Sequence, residues 1–572
     1  MRSRDQTFLD PFQSANRIGH WLPLLILLSF LSSISSFSNG GVSTKIPFQF
    51  VGDSSGIEFE HRNGMQSELW LLEVIGSGAA LLDYDDDGRL DIWLVQSDGV
   101  DHVYRNVTSK GRLSFERVDE ILLSSPADGY GIGIAVGDID NDGDLDVFLA
   151  NYGQNQLYLN DGGQFRRVDS GLELHEDWSV AGSFADYDGD GLLDLYVANY
   201  VQWQKETHKV CHDMAGRPDY CAPDVFPATH DRVYRNLGTA RFRDVSEQIG
   251  ITKDASPGLG VIARDLNADG WVDFFVANDA TDNQLWLNRQ GRILVDDALL
   301  AGVAVNGDGE AEASMGVTAE DFDRDCHTDL FITHLAAETN TLYRGAGDGW
   351  FSDATNVHGL GLASTPFTGF GTRWLDFDND GDLDLYTVNG AVSRLQDQAL
   401  QGVAYPLRQR NQFWVNEEGR YSVVMSSDKA VGRGLAIGDI DNDGDIDMLI
   451  TNSHGRPQLL RNTTDALGRD WIGIELNAPG ALTLGSTVEL GSQECVKAIV
   501  QTDGSYASAS DHRVVFGISG NLLRTDVIVR WSDSSVEQFG RLKLNRYHSL
   551  RKGRGAPVPS DLELGAVHGV SQ

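Results

Sequence analysis

Basic residues are scarce in this chain: 45 Lys and Arg stand against 84 Asp and Glu, for a formal net charge of −39. Phosphate backbones are gripped by basic stripes, so nucleic acid is excluded as a partner. Cysteine is scarcer, at four residues, with no C-x-x-C pair and no Cys/His zinc spacing. Cys211 and Cys221 lie ten apart in one loop and suit a local disulfide, whereas Cys326 and Cys495 are distant. Cysteines used this way fit an exported protein. H-E-x-x-H and P-loop signatures are both missing. Long apolar runs are missing too, save one at residues 21–31, preceded by Arg2, Arg4 and Arg17 and followed by a Ser-rich stretch to Asn39. That layout predicts a signal peptide over 1–39 and no membrane span after its removal; extending the run to Phe37 gives the rival, an uncleaved anchor. A secreted, periplasmic or cell-surface location follows.

What the chain has in abundance is one short acidic template, D-x-D-x-D-G-x-x-D, written seven times between apolar runs. Position 6, a glycine, makes a sharp turn, and carboxylates at positions 1, 3, 5 and 9 converge on one hard cation, as in the related EF-hand loop. The candidate ligands are Asp83, Asp85, Asp87 and Asp91 in loop one and Asp138, Asp140, Asp142 and Asp146 in loop two. Loop three offers Asp186, Asp188, Asp190 and Asp194; loop four offers Asp265, Asn267, Asp269 and Asp273. Loop five offers Asp321, Asp323, Asp325 and Asp329, and loop six Asp376, Asp378, Asp380 and Asp384. Loop seven offers Asp439, Asp441, Asp443 and Asp447. Calcium is the expected ion, at up to seven sites, because magnesium prefers rigid octahedral geometry with several waters. Seven such ions would bring the charge to about −25, so the acidity is partly a metal signature. Asn267 removes a charge from loop four, and Cys326 replaces the turn glycine of loop five. A β-carbon there imposes left-handed strain, so the site at 321–329 is expected to be the weakest.

Each loop belongs to a larger repeat. A glycine-bearing strand such as GIGIAV enters the loop and one such as LDVFLAN leaves it. A third of the NQLYLN or RVYRN type follows, then a fourth with an F-x-x-V core. Four short strands per unit predict an all-β fold, a seven-bladed propeller over 45–465. The fourth-strand pattern is missing after loop seven but appears near the N-terminus as PFQFVGDSSGI, so residues 48–51 are expected to complete the last blade and close the ring. Residues 466–554 alternate in strand fashion without acidic loops and predict a small β-sandwich or barrel; the proline-bearing tail 555–572 is expected to be disordered.

The repeats resemble FG-GAP/VCBS units, the calcium-loop blades of integrin α-subunits. YCAPDVFPATHDRVYRNLGTARFRDVS from Tyr220 is similar to a segment of the ASPIC/UnbV family, as are DWIGIEL at Asp470, DGSYASASDHRVVFGISG at Asp503 and DVIVRWSDSSVEQF at Asp526. SDSS at Ser532 departs from the proline-and-glycine turn of that family's C-terminal domain, and GSTVEL at Gly485 matches imperfectly.

Catalytic signals are thin. GDSSG at Gly52 matches the G-x-S-x-G pattern but has no following helix, and the Asp pairs that could serve a glycosidase are committed to the loops. His208, His212, His230, His334 and His454 fall near the face opposite the loops, and Asn106 and Asn462 begin glycosylation sequons. Two units carry insertions between strands two and three, at 200–231 and 390–411, which the alternation of strands places on that opposite face. Tyr130, Trp178 and Phe370 are expected at its rim, either as anchors or as fillers of the gaps between blades. The resulting reading is a non-enzymatic extracellular binding or adhesion module for a protein or glycan. The rival is a carbohydrate-active enzyme, a lyase or glycosidase, using that same face.

Overall fold

The computed structural model describes residues 48–558 apart from 67, 110–111, 119–128, 465–467, 479, 492–494 and 519–525. The expected signal peptide lies outside the described residues. Among them, no helix is long and apolar enough to cross a membrane. The described residues fall within one compact unit.

The repeats fold into seven four-stranded antiparallel sheets. In the first, Ala79–Leu82, Asp91–Leu94, His102–Asn106 and Phe115–Arg117 pair in chain order, and the next five follow the same order. The seventh takes Gly432–Gly438, Asp447–Asn452 and Gln458–Asn462 from the end of the repeats and Phe48–Phe50 from the start of the chain, with Phe48 opposite Asn462. The expected closing strand is therefore in place. The first strand of every sheet packs beside the first strands of the sheets before and after it, and that of the seventh packs beside that of the first, which completes the cycle.

Glycine explains how the first strands come so close. A β-carbon on Gly133 would lie 2.1 Å from the carbonyl oxygen of Val180 in the next sheet, and one on Gly316 would lie 2.1 Å from that of Phe370. Away from this axis, apolar residues of adjacent sheets fill the wedges, as where Phe148 and Leu157 of the second meet Phe184 and Leu195 of the third.

Residues 470–557 form a three-stranded and a five-stranded sheet around a core that includes Ile472, Val488, Val529 and Trp531. The tail departs from expectation at its start: Ala556–Pro557 pairs with Val536–Arg541, so the chain remains ordered through Pro557 because the neighbouring strand has free backbone groups to offer it. The rest of the tail lies outside the described residues.

From these C-terminal sheets a buried finger, residues 501–511, enters the axis of the ring and touches the first strand of each of the seven sheets. Ala509 exchanges backbone hydrogen bonds with Ala79 and Leu81 in the first sheet, and Ile134 N–H donates to Ala507 in the second. Asp503 accepts from Ser183 Oγ in the third and from Ala263 N–H in the fourth, where it also pairs with Arg264 at 2.7 Å. Ser505 exchanges bonds with Val317 of the fifth, Arg373 of the sixth donates to the Asp503 carbonyl, and Asp511 N–H donates to Ile437 of the seventh. A segment from the other end of the chain meets it: Tyr506 Oη donates to the carbonyl of Ile75, and Leu71–Val74 is a fully buried 3-10 turn. Tyr506 is 0% exposed and lies edge-on to Phe370 at 4.8 Å. Replacing a buried aromatic of this size by alanine costs about 3–5 kcal/mol. Tyr506→Ala is expected to lower the urea midpoint accordingly, and an unchanged midpoint would show that the finger does not contribute to the stability of the ring.

Candidate metal centre

All seven acidic loops share one geometry. The position-1 carboxylate accepts the N–H groups of positions 5 and 6 at 2.7–3.1 Å, which bends the loop back on itself. At position 5 the Oδ1 accepts the N–H of position 7. The position-9 carboxylate lies at the base, 0–2% exposed in every loop, with its Oδ1 accepting a backbone N–H from the end of the third strand at 2.7–2.8 Å. One position recurs as unmatched: Oδ1 at position 3 is buried with no hydrogen-bond partner on Asp85, Asp140, Asp188, Asp323 and Asp441, and in loop three Asp194 Oδ2 at position 9 joins it. In loop six Arg469 stands 2.6 Å from Asp378 Oδ1, and in loop four Asn267 Oδ1 accepts the N–H of Asp269.

Position 3 thus presents an unmatched oxygen beside positions 1 and 9, and in loops one, two and three these three residues bring ligand atoms within 4.8 Å of one another. In loop five, atoms of positions 1, 3 and 5 do so. An all-oxygen anionic donor set suits a hard dication, which would supply the positive charge that the buried atoms lack.

FG-GAP-like repeat models match residues 83–149, 138–197, 265–332 and 321–387, and the ASPIC and UnbV model matches 477–557. The chain carries FG-GAP-like repeats and an ASPIC and UnbV domain. It is homologous to cartilage acidic protein 1: that of Mus musculus is 24% identical over 496 residues, covering 80% of this chain and 71% of the relative. That of Homo sapiens is 24% identical over 499 residues, covering 80% and 69%. Similar solved structures include the BP39L lectin from Burkholderia pseudomallei, at 12% identity and a TM-score of 0.42 over 68% of this chain and 97% of that one. A lectin of Agrocybe aegerita matches at 15% identity and a TM-score of 0.38 over 67% and 87%.

The ASPIC/UnbV strands sit directly on loops five to seven. Cys495 forms a disulfide with Cys326 of loop five, and Lys497 Nζ donates to the Cys326 carbonyl at 2.6 Å. Tyr547 Oη donates to Asp439 Oδ2 at 2.8 Å in loop seven, and Trp471 packs on Gly444. Cys326 does adopt the left-handed conformation, φ +73°, yet its N–H reaches Asp321 Oδ2 at 2.9 Å as the glycines do in other loops. The residue that breaks the template is a covalent anchor. Its partner could not be read from the sequence, because 169 residues separate the two.

Two further features went unnoticed in sequence. Asparagines ending the third strands reach across to the neighbouring unit: Asn106, Asn160, Asn236, Asn288 and Asn462 each donate Nδ2–H to the position-2 carbonyl of the preceding loop, at 2.7–3.0 Å. Arginines one residue earlier pair with positions 3 and 5, with Arg235 2.6 Å from Asp188 and 2.9 Å from Asp190. The recurring Y-R-N and L-N endings were the available signal.

On the opposite face the Cys211–Cys221 disulfide forms as expected. The rim aromatics do not serve as free anchors: Trp178 is 1% exposed and Phe370 0%, both in the axial core, and Tyr130 donates to the carbonyls of Asn63 and Leu72. Leu71, Leu72, Val74 and Ile75 pack into the same core and cover these strand ends. The histidines have separate surroundings. His334 is buried beside Ser314, its pKa lowered to about 4 by burial, while His454 N–H donates to His61 and His208 lies against Trp203. GDSSG is a 3-10 turn in which Ser54 and Ser55 donate to the carbonyls of Val51 and Gly52.

Burial lifts the position-9 carboxyls: Asp91, Asp146, Asp273 and Asp329 reach about 8 and Asp194 about 9, with neighbouring carboxylates adding to the effect. A carboxyl whose pKa is raised on folding binds its proton more tightly in the folded chain, so its stabilising contribution is lost as pH rises from the unfolded value of 3.8 through about 8. The metal-free protein is therefore expected to show a melting temperature that falls between pH 5 and pH 8, with added Ca²⁺ restoring most at pH 8. A melting temperature independent of pH would overturn this assignment.

Proposed function

We propose that the seven sheets are the blades of an exported, calcium-stabilised β-propeller that acts with its ASPIC/UnbV domain as a non-enzymatic binding module for an extracellular protein or glycan. The unpartnered position-3 oxygens, repeated at five loops, support the cation. Residues of positions 1, 3, 5 and 9 would hold it, with calcium supplying charge rather than chemistry. Export is supported by two disulfides. A binding role is supported by the joining of the two insertions into one platform. There Arg394 N–H donates to Asp219, and Gln396 reaches Asp213. The platform displays Met214 fully exposed, Val210 at 64% and Leu400 at 85% on a disulfide-braced support, a suitable apolar anchor for a macromolecule.

Each calcium site filled at a hundredfold excess over its dissociation constant adds about 2.7 kcal/mol. Chelation is expected to lower the melting temperature by many degrees, and identical curves with and without chelator would remove calcium from the reading. On a glycan and extracellular-protein array, Met214→Asp and Leu400→Asp are expected to abolish retention while leaving calcium-dependent melting intact. Retention that survives both but is lost in Trp271→Ala would move the ligand to the cleft in which Trp271 of loop four faces Gly485 and Ser532 of the C-terminal sheets. Release of unsaturated or shortened glycan products would establish the enzyme instead.

A further inference from the structure

The seven loops are alike in their carboxylates but not in what faces them. The residue before the terminal asparagine or glycine of the third strand is Arg105, Arg235, Arg344 and Arg461 in sheets one, three, five and seven. Each of these guanidiniums spans positions 3 and 5 of its own loop, as Arg461 does at 2.6 Å from Asp441 and 2.7 Å from Asp443. In sheets two and four the same position holds Leu159 and Leu287, 8% and 6% exposed and packed into the wedge toward the next sheet. No other cation reaches positions 3 and 5 of these two loops among the described residues. Loop six has Val415 on its strand and borrows Arg469, which pairs with Asp378 and Asp380, from the start of the C-terminal strands.

A planar guanidinium bridging two carboxylates relieves their repulsion and fixes both side chains. It does so here without closing the metal site: Arg235 takes Oδ2 of Asp188, whereas Asp188 Oδ1 stays buried and unpartnered, and Asp441 repeats the pattern. Arginine and cation are therefore compatible, and the arginine remains when the cation leaves. Resting on the calcium reading above, we infer that the third-strand arginine is a built-in counter-ion that keeps loops one, three, five and seven ordered without the cation, and that loops two and four, with leucine in its place, order only when the cation is bound. Calcium then controls two named sectors of the ring rather than all of it.

Hydrogen exchange resolved by peptide, on the full chain with Ca²⁺ and with chelator, tests this. Peptides over 138–146 and 265–273 are expected to lose protection by on the order of tenfold in chelator, while those over 83–91, 186–194 and 439–447 change by less than about threefold. Arg235→Leu is expected to make loop three as chelator-sensitive as loop two, and Leu159→Arg to protect loop two. Because Leu159 is buried and its arginine variant risks misfolding, Arg235→Leu decides the matter alone. Equal loss of protection in all seven loops, or an Arg235→Leu loop three that resists chelator, would overturn the counter-ion while leaving calcium binding standing. No change in any loop of the wild type would overturn both.

Discussion

A carboxylate buried at the base of each acidic loop is the constraint around which the rest is arranged. Burying an anion is costly unless donors or opposite charge meet it, and each of the seven position-9 aspartates is met by a backbone N–H from the third strand of its own sheet. That bond fixes the third strand against the loop. In five of the sheets the strand's asparagine then reaches the preceding loop, so the node that answers a charge also ties neighbouring sheets together; Asn416 of the sixth donates instead to Leu383 of its own loop. Sheet five, where Gly345 stands in for the asparagine, lacks the tie from that position, and there the ASPIC/UnbV strands are joined covalently through Cys326.

A ring of sheets meeting through glycine-bearing strands leaves an axis to be filled. Here both ends of the chain fill it. The finger at 501–511 enters from the side of the acidic loops, residues 71–75 cover the other side, and they meet at Tyr506 and Ile75. Arg433, 0% exposed, sits at this junction with its donors on the carbonyls of Val74, Gly390, Gly432 and Ala391 and its guanidinium 4.0 Å from the Phe370 ring. A buried cation without a carboxylate is tolerable because oriented carbonyls and an aromatic face replace its hydration. The axis is consequently structural, which is why Trp178 and Phe370 belong to the core.

What could be read in the sequence was local and periodic. Loop spacing, the four-strand order and the closing strand at Phe48 follow from alternation and repetition, and each is where the pattern put it. The Cys211–Cys221 bridge closes a short loop and was equally accessible. Contacts between distant stretches were not. Nothing in the periodicity of QTDGSYASASD marks it as an axial finger, since its small residues are chosen by the width of a hole that forms only when seven sheets close. The choice between anchors and gap fillers for the rim aromatics stayed open for the same reason: topology put the strand ends on the right face, but the segment that covers them comes from a part of the chain without repeats.

The placement of the ASPIC/UnbV strands follows from the charges beneath them. The repeat face is strongly acidic, and the strands approach it with cations: Arg469 on Asp378 and Asp380, Lys497 3.8 Å from Asp321, and Arg513 donating to the Asp439 carbonyl and to Asn442. These contacts gather on loops five to seven, the part of the ring reached first by a chain leaving the seventh sheet. A dication in any of these loops would share carboxylates with a docked side chain, as Tyr547 already shares Asp439. Electrostatic docking alone would therefore weaken as the loops filled. The finger and the Cys326–Cys495 bridge do not depend on that charge, and so they hold the strands in place whichever cation neutralises the face.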